Sequence, residues 1–352
     1  MSSDKILIPV QDLYRFTERV FLALGLDPEE AALCADGLVQ SELRGLTMQM
    51  QGVNRLPIYY QRLHEGLVTP RAPFEIIRNA PSLALVDAHN GLGYAAATRA
   101  MRLAMSKAKA TGMGSVFVRH STHFGGASVH ARRALAENCI GIAMSNASPE
   151  MAPWGGITPV LGTNPWAIAV PSNSPFPIVL DLAITTSGKG SMMGLAREGK
   201  KMPLDWAITR DGRSTDDPNA AMDGTLLPIG GPKGYGLSLM TDVLTGVLSG
   251  SAFGTKPYSN PAFQDVGHLL IAIDVEWFMP LDEYKARLDT LLQEIKASEL
   301  RPGFDRIYLP GELEHLREQE KLAHGAPLER AVFDDLKQLA ATLNIPFDLK
   351  DN

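Results

Sequence analysis

Two glycine-rich segments constrain this chain more than anything else in it: MAPWGGITPVLGTNPWAIAVP over residues 151–171 and GGPKGYG over residues 230–236. Small residues let backbone approach a ligand closely, and in both segments they surround a reactive or cationic side chain. Neither segment follows the G-x-G-x-x-G of a Rossmann unit or the pattern of a P-loop. The chain is therefore expected to bind its ligand through a different fold.

With 352 residues, 45% hydrophobic and 20% charged, the sequence suffices for two or three lobes and a large core. It carries 39 acidic against 33 basic residues and no Lys/Arg-rich run, so neither nucleic acid nor a membrane is the expected partner. A small molecule is. The N-terminus MSSDKILIPVQDLYRF lacks the basic and apolar regions of a secretion signal, and no apolar stretch approaches the ~20 residues of a membrane span. The expected location is the cytoplasm. Cys34 and Cys139 lie far apart in apolar contexts and read as buried free thiols, with no metal site expected.

Apolar residues recur at helical spacing in Leu13, Phe16, Val20 and Phe21, and again in Leu33, Leu38 and Val39. The second helix has a readable start: Asp27 caps it, Pro28 suits its first position, Glu29 and Glu30 complement its dipole, and Gly25 ends the helix before it. From Pro81 the pattern changes to short β-rich runs, LALVD (83–87), SVFVR (115–119), IGIAMS (140–145), WAIAVP (166–171), IVLDL (178–182) and later HLLIAIDV (268–275). An amphipathic helix is predicted over GLSLMTDVLTGVLSG, and further helices over 281–298 and 328–344. The expected division is a helical lobe from 1–75 with 280–352, and a central-sheet domain over 76–279 whose residues 183–231 form loops.

Several motifs admit more than one reading. GLGYAA (91–96) matches a loose dinucleotide fingerprint, but the next strand ends in Arg119 and His120 rather than an acid, and close helix packing is the preferred explanation. SGKGS (187–191) fails as a P-loop because Gly190 follows Lys189 and Ala183 stands where the leading glycine should be. In RHSTHFGGAS (119–128), His123 beside a glycine pair has room for a ligand and titrates near working pH, which suits an acid/base group. His120 reads as a structural histidine. Lys233, between glycines at a predicted helix start, is open to three readings: a holder of phosphate or carboxylate, a Schiff-base lysine, or an exposed turn. Asp181, ending an apolar strand, either accepts from a ribose or amide or caps the segment that follows.

Taken together, LRG (43–45), GVNRLPIYY (52–60), THFG (122–125), MAPWGG (151–156), LGTNP (161–165), DLA (181–183), GGPKGYGL (230–237) and YLPGE (308–312) resemble the malate/L-lactate dehydrogenase family from about residue 10 to 315. That family is separate from the Rossmann-fold lactate and malate dehydrogenases. The resemblance implies an α/β (α+β) homodimer with a non-Rossmann nicotinamide-binding domain on a mostly antiparallel or mixed sheet. It further implies NAD or NADP as cofactor, a small-molecule carboxylate as substrate, and hydride transfer at the carbon beside that carboxylate. A cyclic imine reductase and a nicotinamide-binding protein without turnover are the alternatives. By the same resemblance His123 is the acid/base, Arg55 the carboxylate clamp, Thr163 a neighbour of nicotinamide and substrate, and Asp181, Leu182, Ala183, Lys233, Gly311 and Glu312 cofactor contacts.

One departure stands out. Family members carry Ser-His-Gly just before the stretch matching Val53–Tyr59, whereas this chain has a segment two residues longer, with Gln51 where the histidine would be. Glutamine cannot exchange a proton near neutral pH. Met48, Met50 and Trp166 suggest a partly apolar substrate pocket, and Arg197, Lys200, Lys201 and Arg213 are cations available to a 2′-phosphate.

Overall fold

The computed structural model describes residues 5–350; residues 1–4 of the N-terminal stretch and the side chains of Met48 and Gln49 lie outside the described residues. The chain begins with β1 (Lys5–Ile8), α1 (Val10–Ala23), α2 (Pro28–Leu43) and α3 (Leu56–His64). The central part holds β2 (Glu75–Asn79), β3 (Leu83–Asp87), α4 (Gly93–Thr111), β4 (Met113–Ser121), α5 (Ala127–Ala131), β5 (Cys139–Ser145), β6 (Trp166–Val170) and β7 (Ile178–Leu182). A small subassembly follows, with α6 (Lys189–Arg197), β8 (Ala207–Ile208), α7 (Pro218–Met222) and β9 (Thr225–Leu226). Then come α8 (Pro232–Asp242), β10 (Val266–Asp274), α9 (Leu281–Lys296), α10 (Glu312–His324), β11 (Ala326–Glu329) and α11 (Arg330–Leu343).

The chain ends meet. β1 pairs antiparallel with β11, placing Ile6 opposite Leu328 and Ile8 opposite Ala326, and these residues share one core with Leu13, Phe16, Val20, Phe21, Leu38, Leu56, Phe333 and Leu336. The buried stripe of α1 is the one its spacing predicts, and each such Leu, Val or Phe contributes about 1.5–3 kcal/mol by leaving water. The start of α2 also follows its sequence: the Asp27 side chain accepts the Glu30 N–H at 2.8 Å, with Pro28 in the first turn.

The central sheet has seven strands in the order β2-β3-β4-β10-β5-β6-β7. Only β3 and β4 run parallel, joined through α4; the remaining neighbours are antiparallel. The sheet is mixed and mostly antiparallel, as expected. The residues 183–231, expected as loops, also form the short α6, α7, β8 and β9 around Met192, Met202, Ala207, Ala221 and Leu226.

Helix α4 lies unusually close to the sheet because its inner face is small: Ala97, Ala100, Ala104 and Ala108 are all buried. Gly114 on β4 completes the contact, since a Cβ there would stand 2.0 Å from the Ala104 carbonyl oxygen. The same principle explains GLGYAA. A Cβ on Gly93 would come within 2.3 Å of the Thr122 carbonyl and 2.5 Å of the His123 carbonyl. The Gly93 N–H donates to Thr122 Oγ1 at 3.1 Å, and that hydroxyl donates to the Gly91 carbonyl at 3.0 Å. The helix start is thus filled by protein, not left open for a pyrophosphate. The glycines hold α4 against the loop that carries His123.

A Gly114→Ala variant pushes against the Ala104 carbonyl and Lys107 Cβ, neither of which can swing aside, and overpacking of this kind costs about 1–3 kcal/mol. Urea unfolding should show a lower midpoint with an unchanged slope; an unchanged midpoint would contradict the close-contact account.

Candidate functional site

His123 sits in the turn between β4 and α5, half-buried. Its Nδ1 and the Tyr59 hydroxyl share a hydrogen bond of 3.2 Å. Its main-chain N–H donates to Gln264 Oε1 at 3.1 Å, and the Tyr94 ring meets it edge-on at 6.5 Å. With Nδ1 engaged, Nε2 is the nitrogen left for chemistry. Burial holds the imidazole's pKa well below 6.5, and Arg55 is the next-largest influence in the same direction. The ring is neutral at working pH. Burial likewise pushes the Tyr59 phenol well above its ordinary value, so Tyr59 remains protonated as the partner of either imidazole tautomer.

Arg55 ends a short 3-10 turn, Val53–Arg55, that runs directly into α3. One guanidinium nitrogen donates to the Met50 carbonyl at 3.1 Å, and the group lies 5.8 Å from the centre of the Tyr59 ring. Its Nε is buried with no hydrogen-bond partner, and among the described residues no carboxylate pairs with it. A partly desolvated cation without a counter-ion is costly, and a bound carboxylate would relieve that cost through charge-assisted hydrogen bonds. Arg55 and Tyr59 are four residues apart on one helical face. That spacing was the available signal for Tyr59, which sequence reasoning did not single out. Gln264, supplied by a distant loop, left no such signal.

Gln51 is half-buried: its carbonyl accepts from the Tyr94 hydroxyl at 3.2 Å, and its side chain rests beside Gly126, three residues past His123. The side chain at this position is itself not titratable.

Across the sheet, Asn164 of the GTNP turn is the keystone of the other expected residues. Held at φ 39°, its Oδ1 accepts the Ala147 N–H at 3.0 Å, and its Nδ2 donates to the Ser238 carbonyl at 2.9 Å and hydroxyl at 3.0 Å. Ser238 belongs to α8, so the turn bearing Thr163 is tied to the helix bearing Lys233. The Thr163 hydroxyl has no hydrogen-bond partner among the described residues, while its carbonyl accepts the Ile184 N–H at 2.7 Å. Ile229 in turn donates to the Ile184 carbonyl at 2.9 Å, which sets Leu182 and Ala183 beside the GGPKG segment. Lys233 is exposed in the first turn of α8, after Gly230 and Gly231 at φ 61° and 64°, and its ammonium has no partner among the described residues. An unpaired cation at a helix start suits a phosphate.

Asp181 accepts the Ser128 N–H at 3.2 Å, so it caps α5, a helix earlier in the chain, rather than the segment that follows it. Burial raises its pKa, opposed by the Ser128 bonds. Gly311, at φ 85°, lies against β7, where a Cβ would meet Val179 at 2.9 Å. Glu312 is taken up inside the protein: it pairs with Lys296 at 2.7 Å and with Arg306, and accepts the Leu309 N–H at 2.9 Å. Three of the four surface cations considered for a 2′-phosphate are also engaged, Lys200 with Glu198, Lys201 with Asp216 and Arg213 with Asp211. A continuous set of contacts thus runs from the His123 turn through α5 and Asp181 to Ile184, Ile229 and Lys233.

A family model described as malate/L-lactate dehydrogenase matches residues 8–337. A malate dehydrogenase of Pyrococcus horikoshii is 39% identical over 350 residues, which cover 97% of this chain and 96% of that protein. An L-sulfolactate dehydrogenase of Methanocaldococcus jannaschii is 37% identical, covering 93% of this chain and 94% of the relative. The crystal structure of malate dehydrogenase from Entamoeba histolytica superposes with a TM-score of 0.94 at 32% identity, covering 98% of this chain and 100% of the other.

Because Arg55 depresses the His123 pKa, removing its charge should raise it. In an Arg55→Met variant, the imidazole signals of His123 followed by NMR should titrate at higher pH than in the parent. A midpoint that stays put or falls would show that the two groups do not interact.

Proposed function

The chain belongs to the malate/L-lactate dehydrogenase family, and on that footing we propose how its own residues carry out the family's chemistry. It is an NAD(P)-dependent oxidoreductase acting on a hydroxy acid or the corresponding oxo acid. When bound, the nicotinamide donates or accepts the hydride at the carbon next to the carboxylate.

The observation that carries the residue assignment is the unpaired Arg55 guanidinium beside a neutral, Tyr59-bonded His123. Arg55 clamps the substrate carboxylate and fixes the reacting carbon. Carboxylate binding also offsets the Arg55 charge, which adds to burial in keeping the His123 pKa low, so the imidazole becomes more basic when a substrate is present. His123 Nε2 then gives a proton to the oxygen formed in reduction, and takes it back in oxidation. The hydroxyl of Tyr59 holds Nδ1 throughout. Gln51 orients without exchanging a proton, leaving His123 as the single acid/base. On the cofactor side, the free ammonium of Lys233 meets a phosphate, and the Thr163 hydroxyl and the backbone at Leu182 and Ala183 face the nicotinamide half. Gly311 allows the loop bearing it to approach β7 closely, and Glu312 acts by bracing that loop through Lys296 and Arg306, with Asp181 bracing α5.

The working unit is a homodimer. Helix α8 and the π-helical turn after it (Val243–Val247, ending at Leu248) are built inside out: the buried side is Gly234, Ser238, Thr241, Asp242 and Thr245, whereas Leu237, Met240, Val243, Val247 and Leu248 are exposed. A face of this kind is normally covered. One core joining residues 6–68 to residues 326–349, with Leu92, Tyr94 and Ala95 reaching into it, and a second core within 84–272 support a helical lobe built from 1–75 with 280–352 beside a sheet domain of 76–279. The buried free thiols of Cys34 and Cys139 support a reducing, cytoplasmic setting.

His123→Ala should lower kcat/KM for 2-oxo acid reduction by roughly 10²- to 10⁴-fold, with cofactor affinity unchanged; wild-type turnover would remove the acid/base role. Charging the apolar face with Leu237→Glu and Met240→Glu should give monomers in sedimentation velocity. A dimer that survives both changes places the interface elsewhere.

A further inference from the structure

Between the π-helical turn and β10, residues 251–265 form a strap that is tied down at several points around the His123 turn. Ser251 Oγ accepts the His120 N–H at 2.9 Å, and the Gly254 N–H donates to Asp242 Oδ2 at 2.7 Å. The Pro261 carbonyl accepts from Arg62 at 3.1 Å, and the Ala262 carbonyl accepts from Asn90 at 3.1 Å. Gln264 accepts the His123 N–H. These anchors hold Tyr258 at φ 63°, a left-handed conformation that a bulky aromatic residue adopts only when its surroundings impose it. The Tyr258 N–H donates to the Gln264 carbonyl at 2.9 Å, so the residue is coupled directly to the one that positions His123.

The strain has a visible result. The Tyr258 side chain is half-buried, yet its hydroxyl has no hydrogen-bond partner among the described residues. Arg55 and Arg62 are the leading charges acting on it, followed by Glu150 just before the first glycine-rich segment, and the same two arginines act on His123. Tyr258 is thus held next to Gln264, the residue that binds the His123 main chain, on a strap that Arg62 ties at Pro261. Arg62 spends its guanidinium on the carbonyls of Leu67 and Pro261, holding the strap in place.

We propose that Tyr258 is a substrate-binding residue whose hydroxyl donates a hydrogen bond to the carboxylate held by Arg55, so that the strap selects for a carboxylate next to the reacting carbon. The assignment rests on Arg55 being the clamp. Burial pushes the phenol up to about 12, so it keeps its proton and acts as a donor at any working pH. It binds and orients; the proton transfer stays with His123.

The test is Tyr258→Phe, which keeps the ring and removes only the hydroxyl, measured beside Arg55→Met. Loss of one hydrogen bond to a charged group predicts about a 10-fold rise in KM for a 2-oxo acid and a similar weakening of oxamate binding to the cofactor-loaded protein. The kcat should stay within about twofold and the cofactor Kd should not move, a split that a merely structural lesion would not give. A second variant, Tyr258→Asn, suits the left-handed backbone and should melt no lower than the parent while showing the same KM defect. Unchanged KM in Tyr258→Phe, with Arg55→Met impaired, overturns the role of Tyr258 and leaves the clamp standing. Unchanged KM in Arg55→Met removes the clamp and this assignment with it.

Discussion

A half-buried positive charge with no negative partner among the described residues sets the terms for the rest of this site. Arg55 is stripped of water at Nε, leans on the Tyr59 ring, and meets a backbone carbonyl but no carboxylate among the described residues. Proteins retain such a group when a ligand supplies the missing charge. Its influence on His123, second to that of burial, links two events: a substrate carboxylate arrives first, and the imidazole becomes more basic as the Arg55 charge is offset. The same charge reaches Tyr59, Tyr94 and Tyr258, three phenols kept protonated by burial. The site thus combines one clamp, one proton carrier and a shell of neutral donors.

Packing makes that arrangement possible. Alanines on α4 and glycines at 93 and 114 bring helix and sheet within backbone contact, which fixes the turn carrying His123 from below. On the other side Asn164 joins the GTNP turn to α8, and through Ile184 and Ile229 the β7 end joins the GGPKG segment. Catalytic geometry tolerates little slack, and these ties are made of backbone and short side chains with few rotamers to lose. Gly91–Ala96 shows how a nucleotide-like fingerprint arises from such packing alone, since Thr122 occupies the helix start that a phosphate would need.

What was legible in the sequence was local or periodic. The caps of α2, the stripe of α1 and the alternation of β3 to β7 each depend on neighbours a few residues away. The importance of His123, Lys233 and the glycine-rich segments could be read because small residues beside a polar one are rarely accidental. Harder to read were residues whose role is fixed by distant chain. Asp181 looked free for a ligand or a local cap, but its partner is the Ser128 N–H on a separate helix. Glu312 is surrounded by Lys296, Arg306 and the Leu309 N–H, an ion cluster that only the folded loop assembles. Helix α8 was legible as amphipathic, but periodicity does not say that its apolar side faces outward. Tyr258 gave no sequence signal, because its left-handed backbone is imposed by anchors from four other parts of the chain.

The coupling between carboxylate binding and the His123 proton is the centre of this account, and NMR titration of His123 in the cofactor-loaded protein, with and without saturating oxamate, tests it most directly. The account predicts that oxamate raises the His123 pKa from its depressed value toward the ordinary histidine range. A pKa that is unchanged or lowered by bound oxamate would contradict it.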